Sequence, residues 1–427
     1  MNGILFYDEK LSKILSIMKN LILCAALTGM LCVIFSCNDA KNVNQVVKPY
    51  EPIELSASQT QQVSADNSFA FDLLKNVNRS ECNGNFFISP LSISQALGMT
   101  YNGAAGTTKT AMETALRRNG FSSDEINAYY KKLTYGLLGA DPSTQLKITN
   151  SIWTRKDFPV LQSFYDVNAT YYGAKAQSLD FSQPSSKDII NNWCSQNTNG
   201  KIPSIIDAIP GDVVMYLINA VYFKGIWKSQ FKTSDTFSGS FAATTGSVPV
   251  KYMKQENTFN YFDNDSVQCA ELPYGNGAFS MVVVLPASSY SVDQIVDKMN
   301  SSTWKNWLGA MHSIKLHVEL PKFKLSYKKV LNYALSQMGM GVAFSDFADF
   351  SKIANGGGLA ISRVLHNTFV AVDEEGTEAA AVTAVEIIVS LPQITSFIVN
   401  RPFLFFIKEK STGTILFAGK ILKPVIE

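Results

Sequence analysis

Apolar positions recur in two rhythms once the chain passes about residue 63. Phe69, Phe71, Leu73, Leu74 and Val77 fit one face of an amphipathic first helix. Phe86-Phe87-Ile88 predicts a short buried strand, and Ser89-Pro90 the start of a helix that gives way to a small-residue turn at Gly103-Ala104-Ala105-Gly106. Residues 146–153 alternate as a strand. Residues 217–227 are almost continuously apolar, which predicts a central strand buried on both faces. Leu272-Pro273-Tyr274 and the run from Phe279 to Pro286 predict two strands joined by the turn Gly275-Asn276-Gly277, too weak a glycine pattern to argue for a phosphate site. A helix near 291–299, a strand over 314–320, a helix carrying Val330, Leu331, Ala334, Leu335 and Met338, and a strand over 364–370 complete the pattern.

One stretch keeps neither rhythm. From Val372 to Leu391 the chain is first polar, then a run of small residues, then β-branched up to Pro392. At period 2, Thr377, Ala379, Ala381, Thr383, Val385, Ile387 and Val389 share one face, a strand face that is small at its leading end. Thr377-Glu378-Ala379-Ala380-Ala381 on its own would sooner be a helix, since Ala and Glu are poor strand residues. A segment that reads as loop, helix and strand at once suggests a change of state; the plainer reading is a surface helix.

The amino-terminal part has a different character. Lys19, an apolar run over 21–35 and Ser36-Cys37 form a secretory signal, with Met18 a candidate true start. Ile34-Phe35-Ser36-Cys37 resembles a bacterial lipobox with Cys37 as the lipidated residue; a plain signal peptide cut near Ser36 is the alternative. Residues 38–60 carry no periodic apolar face and read as a flexible tether, so the expected organisation is a leader over 1–37, a tether over 38–60 and one domain over 61–427.

Composition narrows the function. With 427 residues, 46% of them hydrophobic, the chain can bury a large core, and a net charge of +2 argues against a nucleic-acid partner. Cys82, Cys194 and Cys269, the three cysteines beyond the leader, have no metal-ligand spacing, and neither do His312, His317 and His366. No Gly-x-Ser-x-Gly elbow or phosphate-binding loop is present, and Asp373-Glu374-Glu375 has no partner acid marking a cleft. An enzyme is not expected, nor any cofactor.

Glu374-Glu375-Gly376-Thr377-Glu378-Ala379-Ala380-Ala381 resembles the proximal hinge of the reactive-centre loop in serpins. Asn400-Arg401-Pro402-Phe403-Leu404-Phe405-Phe406-Ile407, continuing through Thr412 to Lys420, is similar to that family's carboxy-terminal strand signature. The resemblance implies an α+β fold of three β-sheets and about eight or nine helices, with an exposed reactive-centre loop over about 374–396. It implies a monomer and a target endopeptidase as covalent partner, with membrane anchoring if Cys37 is acylated. Ser89, Ser92, Asn219 and His366 would form the shutter beneath the middle of the main sheet, with His366 bonding toward Asn219 and Ser89. Trp227 would lie in the breach, where the loop first enters the sheet, and Lys322 would pair there with Glu374. Without the resemblance, Asn219 and His366 read as satisfied core residues, and Lys322 and Glu374 as exposed charges worth under about 1 kcal/mol.

The bait bond follows from counting. The usual spacing from Gly376 puts P1 at Ser390 and P1′ at Leu391, whereas counting back from Asn400 puts P1 at Leu391. Pro392 excludes the second, because proline at P1′ blocks most serine proteases. Ser390–Leu391 or Val389–Ser390 remains. Small P1 residues suit an elastase-like protease, and Val389 at P2 suits a papain-like one. With chymotrypsin-like enzymes these are the expected targets, since no Arg or Lys lies between Glu378 and Asn400 to suit a trypsin-like one. The rival is a non-inhibitory ligand carrier or chaperone on the same fold.

Overall fold

The computed structural model describes residues 49–355, 358–377 and 394–425. The leader with Cys37, the hinge residues Glu378, Ala379, Ala380 and Ala381, and the candidate bond at Val389, Ser390 and Leu391 lie outside them.

The packed chain begins earlier than the expected tether end at 60. Tyr50, Ile53 and Leu55 lie against the core. Ser56 then opens α1 (Ala57–Ser80) with a capping box, its side chain accepting from the Gln59 N–H while Gln59 bonds back. The three apolar anchors before α1 follow no period, so the sequence pattern hides them. The Tyr50 hydroxyl donates to Glu409 Oε1 at 3.3 Å, the Ile53 N–H donates to Ser411 Oγ at 2.9 Å, and the Lys410 ammonium lies 5.1 Å from the Tyr50 ring centre.

Among the described residues there are nine α-helices and three sheets, an α+β fold. The largest sheet has nine strands. In spatial order these are β1 (Phe86–Ile88), β14 (Ile415–Ile421), β13 (Phe403–Glu409), β8 (Phe279–Pro286), β7 (Val267–Pro273), β6 (Gly246–Asp263), β9 (His312–Pro321) and β12 (Thr395–Ile398), with β5 (Phe237–Ala243) beside β6. Its centre is the carboxy-terminal signature: β13 pairs with β8 and β14, and all three strands are buried along their whole length. Phe87 of β1 stacks against Phe405 and Phe417, with ring centres 5.4 and 5.0 Å away.

The other two sheets are small. β3 (Lys175–Leu179), β2 (Gln145–Arg155) and β4 (Met215–Lys224) form one; β10 (Phe323–Val330) and β11 (Leu365–Val372) form the other. β4 thus departs from the expected doubly buried central strand. It pairs with β2, Asn150 opposite Asn219, and only Ile218, Ala220, Tyr222 and Phe223 of its ten residues are buried. No strand of the described residues covers its other edge. Its apolar side chains instead line a cavity floored by α2 (Pro90–Tyr101). The helix expected around 330–338 is likewise shortened: Val330 ends β10, and one helical turn, α9 (Asn332–Leu335), gives way to a wide turn in which Gly339 has φ 99°. That left-handed value ends the helix where the apolar period continues.

The remaining helices pack around these sheets. α3 (Gly106–Ala115) and α4 (Ser123–Gly139) follow α2; α5 (Gln162–Tyr172) and α6 (Pro184–Asn197) flank β3; α7 (Val292–Lys298) and α8 (Ser301–Ala310) precede β9. A buried charge ties α1 to α4. Arg118, 1% exposed, bonds Asp66 and the Tyr130 hydroxyl, and Asp66 also accepts from the Tyr129 hydroxyl at 2.6 Å. Removing one partner strands the other in a dry interior. Arg118→Met is expected to cost about 3–5 kcal/mol in equilibrium urea unfolding, and adding Asp66→Asn to recover part of it.

Candidate functional site

The hinge strand leaves β11 at Val372 and does not become an exposed loop at once. Glu374 and Thr377 are 6% and 4% exposed, which corrects the expected start of the exposed segment at 374. The cause is backbone pairing. The Trp227 N–H donates to Glu375 O at 2.7 Å, the Phe231 N–H to Glu374 O at 2.9 Å and the Thr377 N–H to Gly225 O at 2.7 Å, with Ile226 and Gly376 forming an antiparallel bridge. Gly376 has φ 154°, and a Cβ there would lie 2.0 Å from Gly225 O and 2.8 Å from Ile226 Cα. Only glycine lets the two backbones approach this closely.

An aromatic wall holds this crossing. Trp227, 2% exposed, stacks on Tyr274 at 4.4 Å and meets Phe231 edge-on at 6.1 Å. Its indole N–H donates to Asp373 O at 2.9 Å. The Tyr274 and Thr377 hydroxyls lie 2.9 Å apart, so the Thr377 side chain points into the core. Tyr274 escaped the sequence reading because it ends an apolar strand and looks like ordinary core.

Charge completes the breach. Lys322 Nζ donates to Glu374 Oε2 at 2.5 Å and the Thr236 hydroxyl to Oε1 at 2.7 Å. Burial raises the Glu374 carboxyl, but these bonds and the Lys322 charge outweigh it and leave the group below its ordinary value. Lys322 and Glu374 are therefore a half-buried pair and not two exposed charges. Asp373 is pushed up by burial, although it accepts the Glu375 N–H at 3.1 Å, and Glu375 is raised by burial and by the Asp373 charge. Thr236 was not anticipated; nothing in its sequence neighbourhood marks a carboxylate cap.

The shutter residues fall into two groups. Ser89 caps α2: its Oγ accepts the Ser92 N–H at 3.2 Å and donates to Leu416 O at 2.8 Å. Its own N–H donates to His366 Nε2 at 3.1 Å. Asn219 belongs elsewhere, donating to Gln95 Oε1 at 3.2 Å and Asn150 Oδ1 at 2.7 Å. The expected bond between His366 and Asn219 is not made, because both residues line the cavity between β4 and β11 and face its space. Burial drives the His366 ring down to about 3, so it is neutral and structural. Among the described residues no cluster of His, Cys, Asp or Glu could hold a metal, and no helix is long and apolar enough to cross a membrane.

The family profile described as Serpin (serine protease inhibitor) matches residues 64–424. The chain is a serpin. An uncharacterised serpin-like protein of Thermococcus kodakarensis is 36% identical over 372 residues, 85% of either chain. Leukocyte elastase inhibitor A of Rattus norvegicus is 33% identical over 382 residues, 85% of this serpin and 100% of the rat protein. The structure of human thyroxine-binding globulin superposes with a TM-score of 0.79 at 30% identity, covering 87% of this serpin and 100% of the globulin.

The breach carries a pH prediction. A carboxylate held below its unfolded value stabilises the fold fully above about pH 4.3, and that contribution is lost as the pH falls through the lowered value. Melting temperatures of wild type and Glu374→Gln should differ at pH 6, by the equivalent of about 1–3 kcal/mol, and converge below pH 4. An equal gap at both pH values would mean that Glu374 acts without its charge.

Proposed function

We propose that this serpin is a suicide-substrate inhibitor of endopeptidases. The observation that carries the reading is Thr377: it bonds Gly225, just past the end of β4, and its hydroxyl is seated against Tyr274. The leading residue of the hinge is thus already in strand register beside an edge of β4 that no described strand covers. Glu378, Ala379, Ala380 and Ala381 continue it with small or short side chains, as a segment slipping between strands requires. Similarity to the rat leukocyte elastase inhibitor supports the same reading.

The step balances as an arrested hydrolysis. The protease serine oxygen, or a cysteine sulfur, attacks the P1 carbonyl at Ser390 or Val389. An ester or thioester forms, the P1–P1′ C–N bond breaks, and the new amino terminus leaves with a proton at Leu391 or Ser390. Inserting the freed segment beside β4 would complete about ten backbone hydrogen bonds at roughly 1 kcal/mol each and bury Val385, Ile387 and Val389, enough to hold the acyl-enzyme in a distorted state.

Incubation with neutrophil elastase, chymotrypsin and a papain-like protease is expected to give an SDS-stable complex and a carboxy-terminal peptide starting at Leu391 or Ser390. Thr377→Arg places a charge where the structure has a buried hydroxyl, so cleavage should continue while the complex falls by at least about tenfold. Cleavage of the wild type with no complex and no gain in heat stability would favour the carrier reading, which the likeness to thyroxine-binding globulin keeps in view.

The leader accompanies this proposal: export, with Cys37 lipidated so that the inhibitor sits at the cell envelope, or secretion after plain cleavage. Palmitate labelling that disappears in Cys37→Ser supports the anchored form, and an unlabelled wild type the secreted one.

A further inference from the structure

The segment that precedes α1 is seated on α4. Ile53 packs against Gly136, where a Cβ would lie 2.5 Å from Ile53 Cγ2. Gly136 is thus the gap in the helix surface that admits the segment, while Tyr50 and the Ile53 N–H hold it to Glu409 and Ser411. The chain before Tyr50 therefore joins the domain close to the last turns of α4.

Those turns carry an unusual outer face. Ala128, Lys131, Lys132, Tyr135 and Leu138 are all exposed and recur at three- and four-residue steps, so they form one stripe along the helix. Tyr135 is 81% exposed and Leu138 48%, and no other helix among the described residues presents two large apolar side chains in this way. Single exposed apolar residues are ordinary on a soluble surface; a pair on one stripe, beside two ammonium groups, marks a contact face. From Ala128 to Gly139 the helix carries Lys131 and Lys132 and no carboxylate, its acids Asp124 and Glu125 lying in the first turn. Glu51 and Glu54 of the entering segment are exposed, so the positive charge belongs to the helix stripe.

A bilayer fits this face. Tyrosine and leucine flanked by lysine are the side chains of a helix lying in a membrane interface, the apolar parts entering the acyl boundary and the ammonium groups meeting lipid phosphates. The route of the chain favours the same partner. Residues 38–49, even when fully stretched, reach at most about 43 Å, so a lipid on Cys37 holds this side of the domain near the bilayer. Stable attachment generally takes two signals, a lipid chain and a second contact, and the stripe supplies the second.

We propose that the outer stripe of α4, with Tyr135 and Leu138 at its centre and Lys131 and Lys132 beside them, docks on the surface of the bilayer to which the chain is anchored. This rests on the lipidated form of the leader, and it fixes which side of the domain faces the membrane.

The test uses the full chain, expressed in an exporting bacterium and reconstituted into vesicles of phosphatidylcholine and phosphatidylglycerol. Tyr135→Trp adds an exposed fluorophore to the stripe, and Ile189→Trp adds one to α6, outside it. Lipids brominated in their acyl chains should quench the added emission at 135 by at least about twofold, since an interfacial apolar face sits about 5–10 Å into the headgroup boundary, and leave that at 189 unchanged. Lys131→Glu with Lys132→Glu in the Tyr135→Trp chain should weaken the quenching by at least about fivefold. Sedimentation with the vesicles reads the anchor separately. A chain that sediments without quenching at 135, with equal quenching at 135 and 189, or with quenching undiminished by the lysine changes overturns the docking face and leaves the anchor standing. A chain that stays in solution overturns both.

Discussion

The edge of β4 that no described strand covers is the constraint around which this molecule is arranged. A strand edge presents a row of unpaired N–H and C=O groups, and most proteins cover or close such edges. Here β2 covers one side of β4, while among the described residues the other borders a cavity and meets the opposite strand system at the breach. The three backbone bonds from residues 225–231 to residues 374–377 are the crossing. The aromatic stack of Trp227 on Tyr274 makes it rigid, and Gly376 makes it close. The nine-stranded sheet behind, with β13 and β8 buried throughout, provides a platform stiff enough for an open arrangement in front.

The charged groups at the crossing are unequal in a way that matters. Glu374 is neutralised by Lys322 and capped by Thr236, whereas Asp373 and Glu375 are pushed toward the protonated form. Of three consecutive acids, Glu374 is held by Lys322 and Thr236 and Asp373 by the Glu375 and Gly376 N–H groups, while Glu375 feels the Lys224 charge and keeps Oε2 buried without a bond. The crossing is closed by specific polar bonds laid over a buried aromatic wall, so losing those bonds would open its polar side while the Trp227–Tyr274 stack remains.

Much of this was legible from the residues. The amphipathic α1, the Ser89-Pro90 start of α2 and the strands β2 and β9 follow from period, capping and apolar runs, because in each the side chains that show the pattern are those that pack, whereas β13 was expected from the family resemblance of residues 400–407. The site was legible only in part. Lys322 met Glu374 and Ser89 met His366 as the family pattern implied. Tyr274, Thr236, Gln95 and Asn150 carried no signal, since a tyrosine at a strand end or an amide on a helix looks the same whether or not it holds a partner. The reading of β4 as doubly buried failed for a physical reason. Apolar side chains facing a cavity and those facing a packed strand have the same sequence, and only the tertiary arrangement separates them. The start of the packed chain failed because Tyr50, Ile53 and Leu55 are anchored singly, by a hydroxyl, a backbone amide and an apolar contact, with no repeat to reveal them.

Those anchors also decide how the molecule bears load. Tyr50 grips Glu409, Ile53 grips Ser411, and the buried Glu409 carboxylate in turn gathers the Ser411 and Thr412 amides of the turn between β13 and β14. Tension drawn along the chain from residues before Tyr50 is therefore passed sideways into a hairpin at the heart of the largest sheet, before it reaches α1. That turn is itself joined to the support of the crossing, since the Lys410 N–H donates to Ala278 O in the turn that follows Tyr274.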